Sequence, residues 1–297
     1  MKIELYLLSN FKKIHDEYLR LKDQMKNTCG PYTLLYILRG LGFCTHNDIP
    51  ITEDYLAMIA RTRIDIKDKK LREEIMDKLL KGELSLSSLE KSYREILYRY
   101  ELIPTTNPIE LDTSPKGIKY ACELITKGEL VTVPIPSRRK ERILFTEDKF
   151  RRLTELLISK IDEWNYQAIL NLQTSHLINN INPFYDIFIA LLSSKPTEEI
   201  GLNPQNTGHF LGLAGFAKVY RDSDVSIYYM LRDTYKGIGY RGYHFQPLES
   251  VRKALVRDDG REGGILIIVR KDKVDDVHRA IEGLDLEIGL WDNGSPF

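Results

Sequence analysis

The sequence predicts an α+β fold, with helices concentrated in one part of the chain and strands in the other. Up to about residue 200 the hydrophobic pattern is mostly helical, whereas after Pro204 the chain becomes rich in strands. The chain has 297 residues, of which 42% are hydrophobic, and this supports a sizeable buried core. We therefore expect a single domain over 1–297, in which a helical part (about 1–200) faces a strand-rich part (about 201–297) across a cleft.

The first predicted helix is a buried one that starts just after Cys29. An apolar stripe at helical spacing marks it: Leu34, Leu35, Leu38 and Leu41. Pro31 suits the first turn of this helix, and Gly40 and Gly42 suit its end. Helical patterns recur in four further segments: 69–80, 89–100, a helix opened by Ser114 and Pro115 as cap and first residue, and 147–164.

Strands are predicted in both parts of the chain. Two of them interrupt the helical part, at 129–135 and around 166–172. Three apolar or alternating runs form the strand-rich part: 209–216, 225–232 and 264–269. A short helix over 247–255 is expected between the last two runs.

Charge and composition exclude several classes of protein. Lys+Arg and Asp+Glu both number 43, so the sequence has no basic excess for a nucleic-acid backbone. No apolar run approaches the roughly 18 residues of a membrane span, and Glu4 interrupts the short apolar stretch at the start, so neither membrane nor secretion is expected. Three scattered cysteines make no disulfide framework, and Cys44 and His46 have no second ligand pair for a metal. A cytoplasmic protein without cofactor or metal is expected.

Cys29 is the first candidate for chemistry, because it lies at the start of the predicted buried helix. Unpaired backbone N–H groups and the positive end of the helix dipole favour the thiolate, which is the nucleophilic form of cysteine. Taken by itself, a lone cysteine is more often a small core residue.

The residues before Cys29 favour the catalytic interpretation. Gln24, four intervening residues and then Cys29-Gly30-Pro31 resemble the nucleophile segment of papain-like cysteine peptidases. The segment is most similar to that of the double-glycine leader peptidases, which process bacteriocin precursors, and of their relatives. The resemblance covers about a dozen residues and implies a papain-like fold, with a helical elaboration between cysteine and histidine. It also implies that the Gln24 amide and the Cys29 N–H form an oxyanion hole.

The same resemblance selects a histidine and a carboxylate. Among six histidines, His209 begins an apolar strand with glycine near its end, as the histidine of this family does. Asp233 directly follows the next predicted strand, where the family places the Asp or Asn that orients the imidazole. The chain order Gln, Cys, His, Asp is therefore complete. His176, at the end of a short strand, is the alternative base, and His244 is expected in an aromatic turn.

Two further signals receive less weight. Gly237, Gly239 and Gly242 match a dinucleotide-binding pattern, but no helix follows them, so we expect a tight turn. A basic run over 138–152 is either a solvated face or a docking surface for an acidic partner, such as a phosphopantetheine carrier protein.

The predicted chemistry is acyl transfer through a thioester on Cys29, with His209 as base, Asp233 as orienting group and Gln24 as oxyanion donor. We favour amide formation from a carrier-bound or otherwise activated acyl donor to an amine, as in closthioamide-type peptide amide synthetases and other natural-product enzymes. The charged helical stretch between Cys29 and His209 exceeds what a small leader-peptidase domain requires. Two alternatives stay open: a cytoplasmic peptidase or amidase that transfers the acyl group to water, and a non-catalytic scaffold that binds a peptide or partner.

Overall fold

The structure is a computed structural model that describes residues 1–178, 206–221 and 224–297. Its strands are β1 (Lys2–Leu7), β2 (Thr45–His46), β3 (Ile49–Pro50), β4 (Arg63–Asp65), β5 (Ile103–Thr105), β6 (Leu130–Pro136), β7 (Arg138–Arg139), β8 (Arg142–Ile143), β9 (Gln167–Gln173), β10 (Gly208–Arg221), β11 (Asp224–Arg232), β12 (Tyr243–Pro247) and β13 (Gly264–Arg270). The helices of the described residues are α1 (Phe11–Arg20), α2 (Cys29–Gly40), α3 (Glu53–Ile59), α4 (Ile66–Leu80), α5 (Lys91–Arg94), α6 (Pro115–Ile125), α7 (Glu147–Ser159), α8 (Ile161–Trp164), α9 (Leu248–Val256) and α10 (Val274–Glu282).

One seven-stranded antiparallel sheet organises the fold. Its strands follow the order β12, β11, β10, β9, β13, β6, and β1 also pairs with β10. The sheet thus takes β1, β6 and β9 from before residue 200 and the other four strands from after it. Helices and an antiparallel sheet confirm the α+β class.

Strand β10 is the longest of the sheet and has two partners along one side. Its first residues, from Gly208 to Gly212, pair with β9, and its later residues, from Gly215 to Tyr220, pair with β1. Strand β11 runs along the other side of β10. This arrangement places the beginning of β10, where His209 lies, in the middle of the sheet.

Helices cover both faces of the sheet. Ile265 and Ile267 of β13 pack with residues of α7, α9 and α10, whereas Leu266 and Ile268 pack on the opposite face with residues of α1, α2 and α6. Side chains on both faces are therefore apolar, which explains the near-continuous hydrophobic run of β13.

Most predicted elements form, but the segment 89–100 does not become one helix. Only Lys91–Arg94 is helical there, because tertiary contacts use the backbone that a helix would need. The Arg99 N–H donates to Asp54 Oδ2 at 2.8 Å, and the Tyr98 carbonyl accepts from the Arg72 guanidinium at 2.9 Å. Hydrogen bonds to distant residues thus replace the helical i to i−4 pattern.

The helix predicted at 69–80 forms as α4, but Leu80 does not belong to its buried face. The side chain is 83% exposed, whereas Ile75 is buried. Ser114 caps α6 as predicted, since its Oγ accepts from the Gly117 N–H at 3.0 Å. No helix among the described residues is long and apolar enough to cross a membrane.

A buried arginine fixes the end of β11. Arg232 is 1% exposed, and its guanidinium lies 5.1 to 5.6 Å from the ring centroids of Phe11, Tyr18, Tyr36 and Tyr243. Its Nε also donates to the Tyr243 hydroxyl at 2.8 Å. These contacts tie β11 to the first two helices and to β12, immediately before Asp233.

Candidate functional site

Cys29 is the first residue of α2 and is 4% exposed. The helix begins here because the Thr28 carbonyl accepts from the Tyr32 N–H at 2.8 Å, and Pro31 occupies the first turn. Close packing also requires Gly30: a Cβ there would lie 2.7 Å from Ile118 Cδ1 and 3.3 Å from the Phe210 ring. The first N–H groups of a helix have no partner within it, and Cys29 lies at that end of α2.

His209 is the second residue of β10 and is buried beside the thiol. Its side chain interacts with Cys29, and this interaction raises the pKa of the imidazole. The Nε2 atom lies 3.4 Å from Asp233 Oδ1 and 3.2 Å from Thr234 Oγ1. Because Nε2 faces the carboxylate, Nδ1 is the ring nitrogen that remains for the thiol.

The surroundings of His209 favour its protonated form. Burial alone would lower the pKa of the imidazole, but the interactions with Asp233 and Cys29 raise the pKa to about 10. At neutral pH the ring therefore carries a proton.

Asp233 lies directly after β11 and contacts two histidines. Its Oδ1 faces His209, and its Oδ2 lies 3.6 Å from His244 Nε2. The Tyr235 N–H donates to Oδ1 at 3.0 Å. Burial would raise the pKa of this carboxyl, but the neighbouring His209 and His244 side chains lower it well below its usual range. The aromatic turn expected around His244 is wrong, because His244 lies on strand β12, paired with Leu231 of β11.

Gln24 reaches the same place from the loop before α2. Its backbone N–H donates to the Thr234 carbonyl at 3.2 Å, which ties this loop to the end of β11. Its side-chain Nε2 donates to the Tyr235 hydroxyl at 3.1 Å. The structure therefore brings together all four residues that the sequence selected.

Tyr235 is a member of the site that sequence reasoning missed. Its ring stacks on His209, with centroids 6.2 Å apart and planes 15° from parallel, while its hydroxyl accepts from Gln24. The only sequence signal was its place two residues after Asp233. Burial raises the pKa of its hydroxyl, which therefore stays protonated.

A second missed residue, Glu53, holds the loop between Gln24 and Cys29. Its Oε1 accepts from the Met25 N–H at 2.6 Å and from the Thr28 hydroxyl. Burial raises the pKa of this carboxyl to about 8, although both hydrogen bonds act in the opposite direction. Glu53 thus fixes the backbone on which the expected oxyanion hole depends.

A groove of about 780 Å³ begins at Gln24. Its apolar walls include the buried side chains of Tyr32 and Leu35, and its rim carries Lys22 and Lys91. Lys91 is paired with Asp23 at 3.2 Å. The carboxylates of Glu53 and Asp54 also line the groove, which therefore presents both apolar and charged side chains to a substrate.

The other sequence candidates lie elsewhere. His176 Nε2 is 3.3 Å from Asp258 Oδ2, and no contact joins it to Cys29 among the described residues. Cys44 is exposed, and Cys122 is fully buried in α6, where burial raises the pKa of its thiol to about 12. The described part of the chain holds no cluster of three His, Cys, Asp or Glu side chains that suits a metal ion.

The glycines at 237, 239 and 242 form the tight turn that was predicted. Gly239 and Gly242 adopt left-handed backbone conformations, with φ of +61° and +84°, and the chain continues into strand β12. A Cβ at Gly242 would lie 1.7 Å from the Tyr18 hydroxyl, so the turn is packed against α1.

The basic run over 138–152 is a network of ion pairs. Five of its cations lie within 4.0 Å of carboxylates: Arg138, Arg139, Arg142, Lys149 and Arg152. Their partners include Glu262, Glu287 and Asp285. The local positive charge is therefore largely offset by neighbouring acidic side chains.

A family model matches the chain over residues 8–292. The chain belongs to DUF6885, a family of unknown function. No curated protein matches its sequence. The DUF6885 match spans Gln24, Cys29, His209 and Asp233, so the whole constellation lies within the part of the chain that defines membership.

Proposed function

We propose that this DUF6885 protein is a cysteine-dependent acyltransferase that works through a thioester on Cys29. One observation carries the proposal: Cys29 begins a buried helix and interacts with the buried His209, whose Nε2 lies 3.4 Å from Asp233 Oδ1. This is the arrangement of nucleophile, base and orienting group that covalent acyl transfer needs.

The protonated His209 supports a thiolate at Cys29, which attacks the carbonyl carbon of the donor. Negative charge then forms on the carbonyl oxygen, and the Cys29 N–H and the Gln24 amide are the available donors. In the structure Gln24 Nε2 donates to the Tyr235 hydroxyl. To be stabilised by Gln24, the carbonyl oxygen of the donor must replace that hydroxyl as the acceptor. His209 gives its proton to the leaving group, and the acyl group stays on sulfur as a thioester.

In the second step an acceptor attacks the thioester, its proton passes to neutral His209, and the carbon–sulfur bond breaks to return the thiolate. An amine acceptor gives an amide, which is the outcome that we favour, and water gives hydrolysis. The helix-borne cysteine and the strand-borne histidine support a papain-like fold as the finer description of this α+β protein. Helices on both faces of the sheet would then be an addition to that fold.

The groove at Gln24 is the proposed donor site. Its apolar side chains suit an acyl chain or peptide, and Gln24, the proposed oxyanion donor, is one of its lining residues. A carrier protein as the source of the donor stays a proposal, and the run 138–152 is a weak docking surface because its charges are paired. Charge reversal there would also break those ion pairs.

Intact-mass spectrometry tests the proposal directly. Wild-type protein mixed with an active ester such as p-nitrophenyl acetate should gain one acetyl group, and peptide mapping should place it on Cys29. Cys29→Ala should gain none while keeping its thermal unfolding midpoint, since alanine fills a similar volume. An adduct on Cys44 or Cys122 instead would overturn the assignment.

Iodoacetamide labelling separates an enzyme from a binding scaffold. Cys44→Ser removes the exposed thiol, and Cys122 is buried with a raised pKa, so labelling of this variant reports on Cys29. We expect fast labelling at neutral pH and a rate at least about tenfold lower when His209→Ala is added. Equal slow rates in both proteins would favour the scaffold.

A further inference from the structure

A second space adjoins Cys29 and is distinct from the groove at Gln24. It is a closed crevice lined by Cys29, Asp112, Asn171, Arg257, Arg261 and Asn293. The space is about 10 Å³, on the order of one water molecule. No apolar chain fits there, but a single N–H or O–H group does.

Asp112 is the carboxylate of this crevice, and its backbone is held in an unusual conformation. Its φ is +77°, and two backbone hydrogen bonds with Arg63, of 2.9 and 3.0 Å, keep it there. Left-handed backbone is uncommon in residues other than glycine, although aspartate and asparagine adopt it more readily than most.

The Asp112 carboxyl is tied to the loop that carries Cys29. Its Oδ1 accepts from Asn27 Nδ2 at 2.8 Å, and Asn27 is also left-handed, with φ of +63°. Asn27 Oδ1 is buried and has no hydrogen-bond partner among the described residues. A carboxylate and an unsatisfied amide oxygen two residues before the nucleophile therefore offer acceptors to an incoming N–H or O–H.

The charges of the crevice favour a neutral occupant. Arg257 is 3% exposed and bound by Asp259 through Nε at 2.9 Å. Arg261 and Asp112 carry opposite charges. Burial raises the pKa of the Asp112 carboxyl, although the charge of nearby His209 acts to lower it. The two guanidinium groups would repel an ammonium, whereas they would not repel a neutral amine or water.

We propose that this crevice holds the reacting head of the acceptor, a neutral water-sized N–H or O–H nucleophile that Asp112 positions. The proposal rests on the acyl transfer proposed above. One N–H or O–H of the nucleophile donates to Asp112, its lone pair attacks the thioester carbon on Cys29, and a second proton passes to His209. The carbon–sulfur bond then breaks, and the thiolate is left beside the imidazolium.

Asp112→Asn is the test variant, because asparagine tolerates left-handed backbone and can still accept from Asn27. Asp112→Gly is a second variant that relieves the backbone constraint altogether. Asp48→Asn is the matched control: Asp48 is an exposed left-handed aspartate, with φ of +64°, in the short hairpin of β2 and β3. Thermal unfolding checks that each variant is folded.

Each protein is acetylated on Cys29 with p-nitrophenyl acetate and then exposed to buffer, ammonia, methylamine or tert-butylamine. Intact mass gives both the acylation rate and the rate of loss. We expect both Asp112 variants to lose the acetyl group about ten- to a hundredfold more slowly than the wild type, as removal of a hydrogen bond to a charged group predicts, and to show a smaller change in acylation. Asp48→Asn should match wild type, and tert-butylamine should react far more slowly than methylamine.

The outcomes separate the two proposals. If the wild type acylates and the Asp112 variants deacylate at its rate, or if tert-butylamine reacts as fast as methylamine, the crevice does not hold the acceptor. A wild type that never forms the adduct overturns the acyl transfer itself. Slower loss in the Asp112 variants supports the crevice with either acceptor, and faster loss in methylamine than in buffer identifies an amine.

Discussion

On the Gln24 side of Cys29 the protein opens into a groove of about 780 Å³, whereas on the Asp112 side it encloses only about 10 Å³. Both apolar and charged side chains line the groove, while the lining of the crevice is mostly polar. In the proposed reaction the large donor binds in the groove beside Gln24, and the small acceptor binds in the crevice that Cys29 lines. Size and polarity, rather than separate catalytic groups, distinguish the two substrates.

His209→Ala should give the largest effect, because this imidazole transfers a proton in both steps of the proposed reaction. We expect acylation of Cys29 to fall by about 10² to 10⁴, the usual contribution of a general acid–base group. His176→Ala should leave the rate nearly unchanged, since its partner is Asp258 and not the site. Stopped-flow release of p-nitrophenol measures both variants, and the opposite order of defects would transfer the base role to His176.

Gln24→Ala should slow acylation and deacylation together by about 10² to 10³, because an oxyanion donor acts whenever charge forms on the carbonyl oxygen. Asp112→Asn should slow deacylation more than acylation. The acylation and deacylation rates, measured by intact mass on the same samples, distinguish the role of Gln24 in the groove from that of Asp112 in the crevice. If Gln24→Ala leaves both rates intact, the amide is not the oxyanion donor and the groove loses its link to the reaction.

Tyr235→Phe should have a smaller effect, and in the opposite direction. The ring keeps its stacking on His209, but Gln24 Nε2 is released for the substrate oxygen. We expect acylation and deacylation to rise together about two- to tenfold, which corresponds to one neutral hydrogen bond. Tyr93→Phe, at a tyrosine that is 40% exposed, is the control. Slower acylation would instead make the hydroxyl a contributor to donor binding.

Glu53→Gln should change the pH dependence of stability rather than the chemistry. The folded pKa of about 8 lies above the ordinary value of 4.5, so the contribution to stability is complete below 4.5 and is lost as pH rises through 8. The raised pKa of His209, about 10, also makes stability fall as pH rises, but this effect is the same in the wild type and in Glu53→Gln. Urea unfolding at pH 6 and pH 9 should show a smaller loss in Glu53→Gln, and parallel losses would contradict the assignment.

The residues that could be identified from the sequence are those that a single local pattern marks. Cys29 stands before an apolar stripe, and His209 and Asp233 stand at strand ends, so each could be placed without knowing its neighbours. Tyr235, Glu53 and Asp112 carry no such pattern. The Tyr235 hydroxyl meets an amide 211 residues away along the chain, and only the folded structure provides that contact.

Contacts between residues far apart in the sequence also account for the errors in the predicted fold. The spacing of apolar residues in 89–100 is helical, but Asp54 and Arg72 use its backbone groups, and neither is a sequence neighbour. The pairing of β1 with the far end of β10 was likewise invisible, because it joins residues more than two hundred positions apart. Tertiary hydrogen bonds decided both cases over local propensity.

The double partnership of β10 has a consequence for handling the protein. Strand β1 satisfies the backbone of β10 from Gly215 to Tyr220, and its outward side chains Ile3, Leu5 and Leu7 are 37 to 59% exposed. Removal of Lys2–Leu7 would leave an unpaired edge in the longest strand, ready to recruit strands from other chains. Shortened versions that begin after β1 should therefore precipitate on expression, although every residue of the proposed site is still present.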